Sequence, residues 1–188
     1  MAEDRENVLY VRMLGGFSVR WNGKLIAGGS KASDSQFTSL LQILIHNREK
    51  GVTRDRLEEL LFADRDMSNV HHALQSVIYN AKKKLEKAGL PPVNYIEQTK
   101  GVFSWTKELE LEEDAERFET LYREAAGTRD PDEQMALYLD ACHLYGGEFL
   151  PMQLSVIWAA QESRRLRGIF CDCVERAATL LRMNQDYF

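Results

Sequence analysis

One amphipathic stretch, residues 66–89 (DMSNVHHALQSVIYNAKKKLEKAG), constrains the fold most, because Leu90-Pro91-Pro92 forbids the helix to continue. On a helical wheel Val70, Leu74, Val77, Ile78, Ala81 and Leu85 share one side. His72, Gln75, Ser76, Tyr79, Asn80, Lys82, Lys83 and Lys87 share the other. The first side is apolar enough to dock on a small core. The second, read as free of carboxylates, carries amide, hydroxyl, imidazole and ammonium groups, which suit base edges and phosphates. Ser68 is the expected N-cap and Gly89 the expected stop. An ordinary surface helix with a solvated polar face has the same wheel, so the flanking segments must decide.

Upstream, short strands are expected at 9–11, 17–21 and 24–26, the last two joined by the tight-turn signal Asn22-Gly23. Gly28-Gly29-Ser30-Lys31 is read as an ordinary loop, since a phosphate loop needs Gly-Lys followed at once by Ser or Thr. Ser33 or Asp34 caps a core helix carrying Phe37, Leu40, Leu41, Leu44 and Ile45. Val52 makes a β contact of one or two residues, and Thr53 caps a short helix with Leu57, Leu60, Leu61 and Phe62 inward. Asp64-Arg65-Asp66 turns into the long helix. Beyond the prolines, 95–96 and 102–105 flank Gln98-Thr99-Lys100-Gly101 as a hairpin with a polar, basic tip. Strands, three helices and a hairpin in this order make a winged helix-turn-helix. The 68–88 helix would enter the major groove, the preceding helix would cross the backbone, and 95–105 would be the wing. Lys100 would reach phosphate or the minor groove.

From 109 onward only helix signals are present. Residues 114–126 place Phe118, Leu121, Tyr122 and Ala125 inward. Asp130 caps, with Pro131 at the first helical position, and 135–144 forms the next helix, stopped by Gly146-Gly147. A long helix then runs over 156–183. Paired helices of this length suggest tetratricopeptide-like repeats. The expected fold is an α+β winged helix-turn-helix domain over 1–107, able to fold alone, followed by an all-α tetratricopeptide-like helical domain over 108–188. The last residues, NQDYF, stand where another helix would begin, so the natural protein is expected to continue past Phe188.

The net charge of −5 argues against nucleic acid only if the chain is treated as uniform. Residues 1–107 hold 16 Lys+Arg against 12 Asp+Glu, a net of +4, and residues 108–188 hold 8 against 17, a net of −9. A binding site needs local positive potential rather than a positive total. No apolar run approaches a membrane span, MAEDRENV is not signal-like, and three cysteines define no disulfide framework, so a reducing cytoplasm is the default.

No constellation of residues supports an enzyme, a cofactor or a metal. His71 and His72 are helix neighbours pointing roughly 100° apart, and Cys171 and Cys173 diverge by roughly 200°. Cys142-His143 is another neighbour pair, without a third, orienting group. The acidic run 108–116 lacks the glycine and alternation of a calcium loop and reads as a solvated linker and helix start.

LGGFSVRWNGKLI, the capped helix, GVTRDRLEELLF, HHALQSVIYNAKKKLEKAG and IEQTKGVFSW together resemble the OmpR-type winged helix of SARP (antibiotic regulatory protein) transcriptional activators. LEEDAERFETLYREA, LYLDACHLYGGEFLP and WAAQESRRLRGIF resemble the bacterial transcriptional activator domain that follows in that family. Trp158, Glu162, Arg165 and Leu166 match its pattern, with core packing and a surface i, i+4 ion pair as their plain reading. Two positions depart from the family. Ala81-Lys82-Lys83 stands where a Leu-Arg-Arg-like run is usual, which keeps charge but loses the bidentate guanidinium fork, and Leu61-Phe62 replaces Leu-Trp.

The resemblance implies a sequence-specific, DNA-binding transcriptional activator. Its partners would be double-stranded DNA carrying direct repeats, bound by head-to-tail copies, and RNA polymerase, with homo-oligomers forming on DNA. The residues expected to face DNA are Asn69, His72, Gln75, Ser76, Tyr79, Asn80, Lys82, Lys83, Lys87 and Lys100, with Gln75 reading adenine. The competing expectation is a helical-repeat interaction module whose winged helix docks protein.

Overall fold

The computed structural model describes residues 6–29, 36–62 and 70–185. The expected caps Ser33, Asp34 and Ser68, the turn Asp64-Arg65-Asp66 and the candidate Asn69 lie outside those residues. The chain divides into two compact units, one of Met1–Leu9 with Val19–Leu111 and the other of Tyr10–Ser18 with Glu112–Phe188. The element order is β1 (Val8–Arg12), β2 (Ser18–Trp21), β3 (Lys24–Gly28), α1 (Gln36–His46), β4 (Val52–Thr53), α2 (Arg54–Phe62), α3 (Val70–Lys87), β5 (Ile96–Thr99), β6 (Val102–Trp105), β7 (Glu110–Glu113), α4 (Asp114–Gly127), α5 (Pro131–Leu144) and α6 (Ile157–Gln185), with a 3-10 turn at Pro151–Gln153. The sheets run in the order β3-β2-β1-β7 and β4-β6-β5. A winged helix-turn-helix is thus followed by a helical region.

In the first unit α1 is the central helix. Every residue from Leu40 to Ile45 is buried, which leaves no solvated face over that turn and a half. It packs on α2, α3 and β6. On α3, Leu74, Ala81 and Leu85 are buried and Val70, Val77 and Ile78 half-buried, so the apolar side of the wheel is the docked side. Gly89, at φ 95°, ends the helix. Its amide donates to the Glu86 carbonyl at 3.0 Å and the Leu90 amide to the Leu85 carbonyl at 3.3 Å, a Schellman stop sealed by the buried Leu90.

The wing pairs Ile96 with Trp105 and Thr99 with Val102. Lys100 (φ 50°) and Gly101 (φ 82°) form the two-residue left-handed turn that matches strand twist. The tip is therefore narrower than expected, because Gln98 and Thr99 are already in β5. On the other edge of β6, Val52 pairs with Phe103, and the Arg54 amide donates to the Gly101 carbonyl at 3.0 Å. The start of α2 is thereby tied to the wing.

In the second unit α4, α5 and α6 pack on one another. The Asp130 side chain accepts from the Asp132 amide at 3.0 Å and Pro131 opens α5, as the sequence predicts. Tyr145 stacks on Phe170 at 4.3 Å between ring centroids. The segment Tyr10–Ser18 completes this unit. The Met13 and Leu14 amides donate to the Asp114 carboxylate at 2.7 and 3.0 Å, the Gly15 amide to the Glu148 carbonyl at 2.9 Å, and the Leu150 amide to the Met13 carbonyl at 2.8 Å.

Three expectations need correction. Residues 110–113 are a strand, not part of a helix-only region: Leu109 and Glu113 are buried while Glu110 and Glu112 face solvent, a period-2 pattern masked by the shared acidity. Arg165 bonds Glu162 at i, i+3, not i, i+4, and also grips Glu119 of α4 with two hydrogen bonds at 2.9 and 2.5 Å. Finally, the polar face of α3 does carry a carboxylate: Glu86 lies a heptad from Tyr79 and is exposed. Among the described residues no helix is long and apolar enough to cross a membrane.

Candidate nucleic-acid interface

The first unit holds a groove of about 400 Å³ between α3 and the wing, with the start of α2 at one end. Leu74, Ile78, Ile96 and Phe103 supply its apolar lining. Arg54, His71, Gln75, Tyr79, Lys82, Asn94 and Gln98 supply the polar part. The groove splits the polar face of α3 into two strips. His71, Gln75 and Lys82 turn toward the wing with Tyr79, whereas His72, Ser76, Asn80, Lys83 and Lys87 are exposed residues that do not line it.

The cations here are held by neutral partners. Lys82 Nζ donates to Asn94 Oδ1 at 2.6 Å. Lys83 Nζ lies 4.5 Å from the centre of the Tyr79 ring and Lys84 Nζ 4.7 Å from that of Phe37. The Tyr79 side chain, by hydrogen bonding and by charge, raises the Lys83 ammonium above the ordinary lysine range against slight desolvation, and Glu86 adds to the effect. Arg54 sits 5.7 Å from the Phe103 ring centre and touches His71 Nε2. His71 Nδ1 in turn lies 3.1 Å from Glu58 Oε1, near in distance but not aligned, since that buried oxygen has no hydrogen-bond partner among the described residues.

In the helical unit, by contrast, arginines meet carboxylates. Arg165 meets Glu119 and Glu162, Arg176 meets Asp172 at 2.7 Å, Arg167 meets Glu148 at 3.6 Å and Arg117 meets Glu124 at 3.7 Å. Among the described residues no carboxylate pairs with Arg54, Lys82, Lys83 or Lys84, so their charge stays available to an outside anion.

The fold is similar to that of EmbR. The solved structure of Mycobacterium tuberculosis EmbR in complex with a low-affinity phosphopeptide aligns at a TM-score of 0.72 over 92% of this chain, with 18% sequence identity. The chain spans 45% of that EmbR chain, about half its length. No family model matches the chain, and no curated protein matches it by sequence.

Of the expected residues, the structure brings Gln75, Tyr79 and Lys82 to the groove, places His72, Ser76, Asn80, Lys83 and Lys87 on the outer strip, and puts Lys100 at the exposed tip of the wing. Ser76 Oγ donates to the His72 carbonyl at 2.9 Å, which leaves its lone pairs as acceptors. Sequence reasoning missed Arg54, His71, Asn94 and Gln98 among the polar residues that line the groove. The available signal for Arg54 was its place at the start of the second helix, the one that crosses a backbone in this motif.

Lys100 offers a separation of fold from charge. Asparagine tolerates the left-handed conformation better than lysine. Lys100→Asn is expected to keep the melting temperature or raise it slightly, while the salt slope of DNA binding falls by about 0.9 for a lost phosphate contact. Melting curves and anisotropy titrations of the two proteins check both parts.

Proposed function

We propose that this protein is a transcriptional regulator of the SARP type that binds double-stranded DNA in a sequence-specific manner, with α3 in the major groove and the β5–β6 hairpin as wing. The observation that carries the reading is the set of cations on and beside α3 whose partners are rings and amides. Phosphates can engage such groups without first breaking an ion pair. The wing and the start of α2, joined at Gly101 and Arg54, would grip the backbone on either side. The likeness in fold to EmbR, a SARP-family regulator, supports the same class. Activation through RNA polymerase, direct-repeat sites and head-to-tail copies on DNA extend the proposal by family resemblance.

Lys82→Ala with Lys83→Ala is expected to weaken binding to all duplexes alike and to lower the salt slope by about 1.8, for two phosphate contacts. The measurement is fluorescence anisotropy at a series of salt concentrations. A slope unchanged from wild type would remove both lysines from the interface. Wild-type protein with little affinity and no salt slope would favour a winged helix that docks protein instead.

A further inference from the structure

We infer that the two strips of α3 have different duties: the groove between α3 and the wing seats one sugar–phosphate strand, held by Arg54, Gln75, Lys82, Asn94 and Gln98, while His72, Ser76 and Asn80 face the bases. The inference rests on the DNA-binding reading and assigns roles within it. A helix in the major groove and a wing at the adjacent minor groove lie on opposite sides of a strand, because a sugar–phosphate strand is what separates the two grooves. That strand has to pass between the two elements, and the space between them is this groove.

Its chemistry fits such a strand. The apolar lining of Leu74, Ile78, Ile96 and Phe103 suits deoxyribose. Two cations project from different walls, Arg54 from α2 and Lys82 from α3, and the amides of Gln75, Asn94 and Gln98 add neutral donors. Among the described residues no carboxylate lines it; Glu58 stands behind His71. Arg54 is already oriented by the Phe103 ring and His71, and Lys82 by Asn94, so little side-chain freedom is lost when a phosphate arrives.

The consequence for Gln75 reverses what the helical wheel implies. The wheel makes it a reader of adenine; the groove makes it a backbone contact, which positions the protein but carries no sequence information. Readout passes to the outer strip. The Asn80 side chain makes no hydrogen bond among the described residues, and Ser76, its proton committed to the His72 carbonyl, presents an acceptor to an exocyclic amine of adenine or cytosine.

The test uses the full chain, a duplex selected by that chain from a random pool, and a scrambled duplex, titrated at several salt concentrations. Gln75→Ala is expected to weaken both duplexes by the same factor and leave their ratio within about twofold. Ser76→Ala and Asn80→Ala together are expected to cut the ratio by about tenfold or more. Arg54→Gln, which keeps the α2 backbone bond to the wing, is expected to lower the salt slope by about 0.9. Loss of preference in Gln75→Ala, or an unchanged slope in Arg54→Gln, overturns the assignment while DNA binding itself stands. Wild-type protein with no salt-dependent affinity overturns the DNA-binding reading and this inference with it.

Discussion

Gly15→Ala is expected to lower stability by about 4 kcal/mol or more, through backbone strain and displaced packing together. A Cβ there would stand 2.2 Å from the Gly146 carbonyl oxygen and 2.8 Å from its carbon, and φ is +72°. The obstacle is backbone, so no side-chain rotation relieves it. Moving Gly15 away also loosens its amide from the Glu148 carbonyl, now at 2.9 Å. The neighbouring Gly16, at φ +152°, has nothing within 4 Å of a built Cβ. Gly16→Ala should therefore carry only the conformational part, about 1–3 kcal/mol. Urea denaturation of the two variants separates the contributions. Equal losses would mean that the approach of Gly15 to Gly146 is not what limits this position.

Asp114 should give the protein a pH dependence of the opposite sign to an ion-paired carboxylate. Burial raises it from 3.8 to about 6, against the lowering effect of the amide bonds from Leu14, Met13 and Ala115, with Glu113 adding to the rise. Between these values the folded chain holds a proton that the unfolded chain has released. The contribution is thus fully present below about pH 4 and is lost as pH rises through 6. At about 1.4 kcal/mol per pH unit, the window spans about 3 kcal/mol. In Asp114→Asn that slope should vanish. One amide oxygen can still accept from Met13 and Ala115, which share Oδ1, but the Leu14 amide loses its acceptor, at a cost of about 1–3 kcal/mol. Unfolding free energies of both proteins from pH 4 to 7 test this. A variant that keeps the wild-type slope would place the titrating group elsewhere.

Much of the first unit was legible in the sequence because its signals are local and strong. The spacing of Phe37, Leu40, Leu41, Leu44 and Ile45 permits only a helix, Asn22-Gly23 and Lys100-Gly101 announce turns, and Gly89, ahead of Pro91-Pro92, marks the end of α3. Features that depend on distant partners were not legible. β7 is short and acidic, and its alternation becomes visible only when the buried side of Glu113 is known. The stretch 12–16 reads as the connection between two strands, yet the amides of Met13, Leu14 and Gly15 bond Asp114 and Glu148. A fragment ending at Lys107 would leave the Met13 and Leu14 amides without that carboxylate.

The candidate site divides in the same way. A helical wheel sorts Gln75 and Ser76 onto one polar face, since it contains only α3. The groove that parts them is made by Asn94, Gln98 and Phe103, which approach α3 from later in the chain, and by Arg54, which comes from earlier. Glu86 was overlooked for a simpler reason: the lysines around it dominate the composition of the last turns.

The clasp of Asp114 on Met13 also bears on how the protein is born. These residues are 101 apart in the chain. At roughly 5–20 residues per second of synthesis, the N-terminal partner is made about 5–20 s before the carboxylate that will hold it. During that interval its amides form an open edge, the kind of surface on which nascent chains join one another. The helical unit can close only after α6 has been made, so its first-made strand waits longest for its partners.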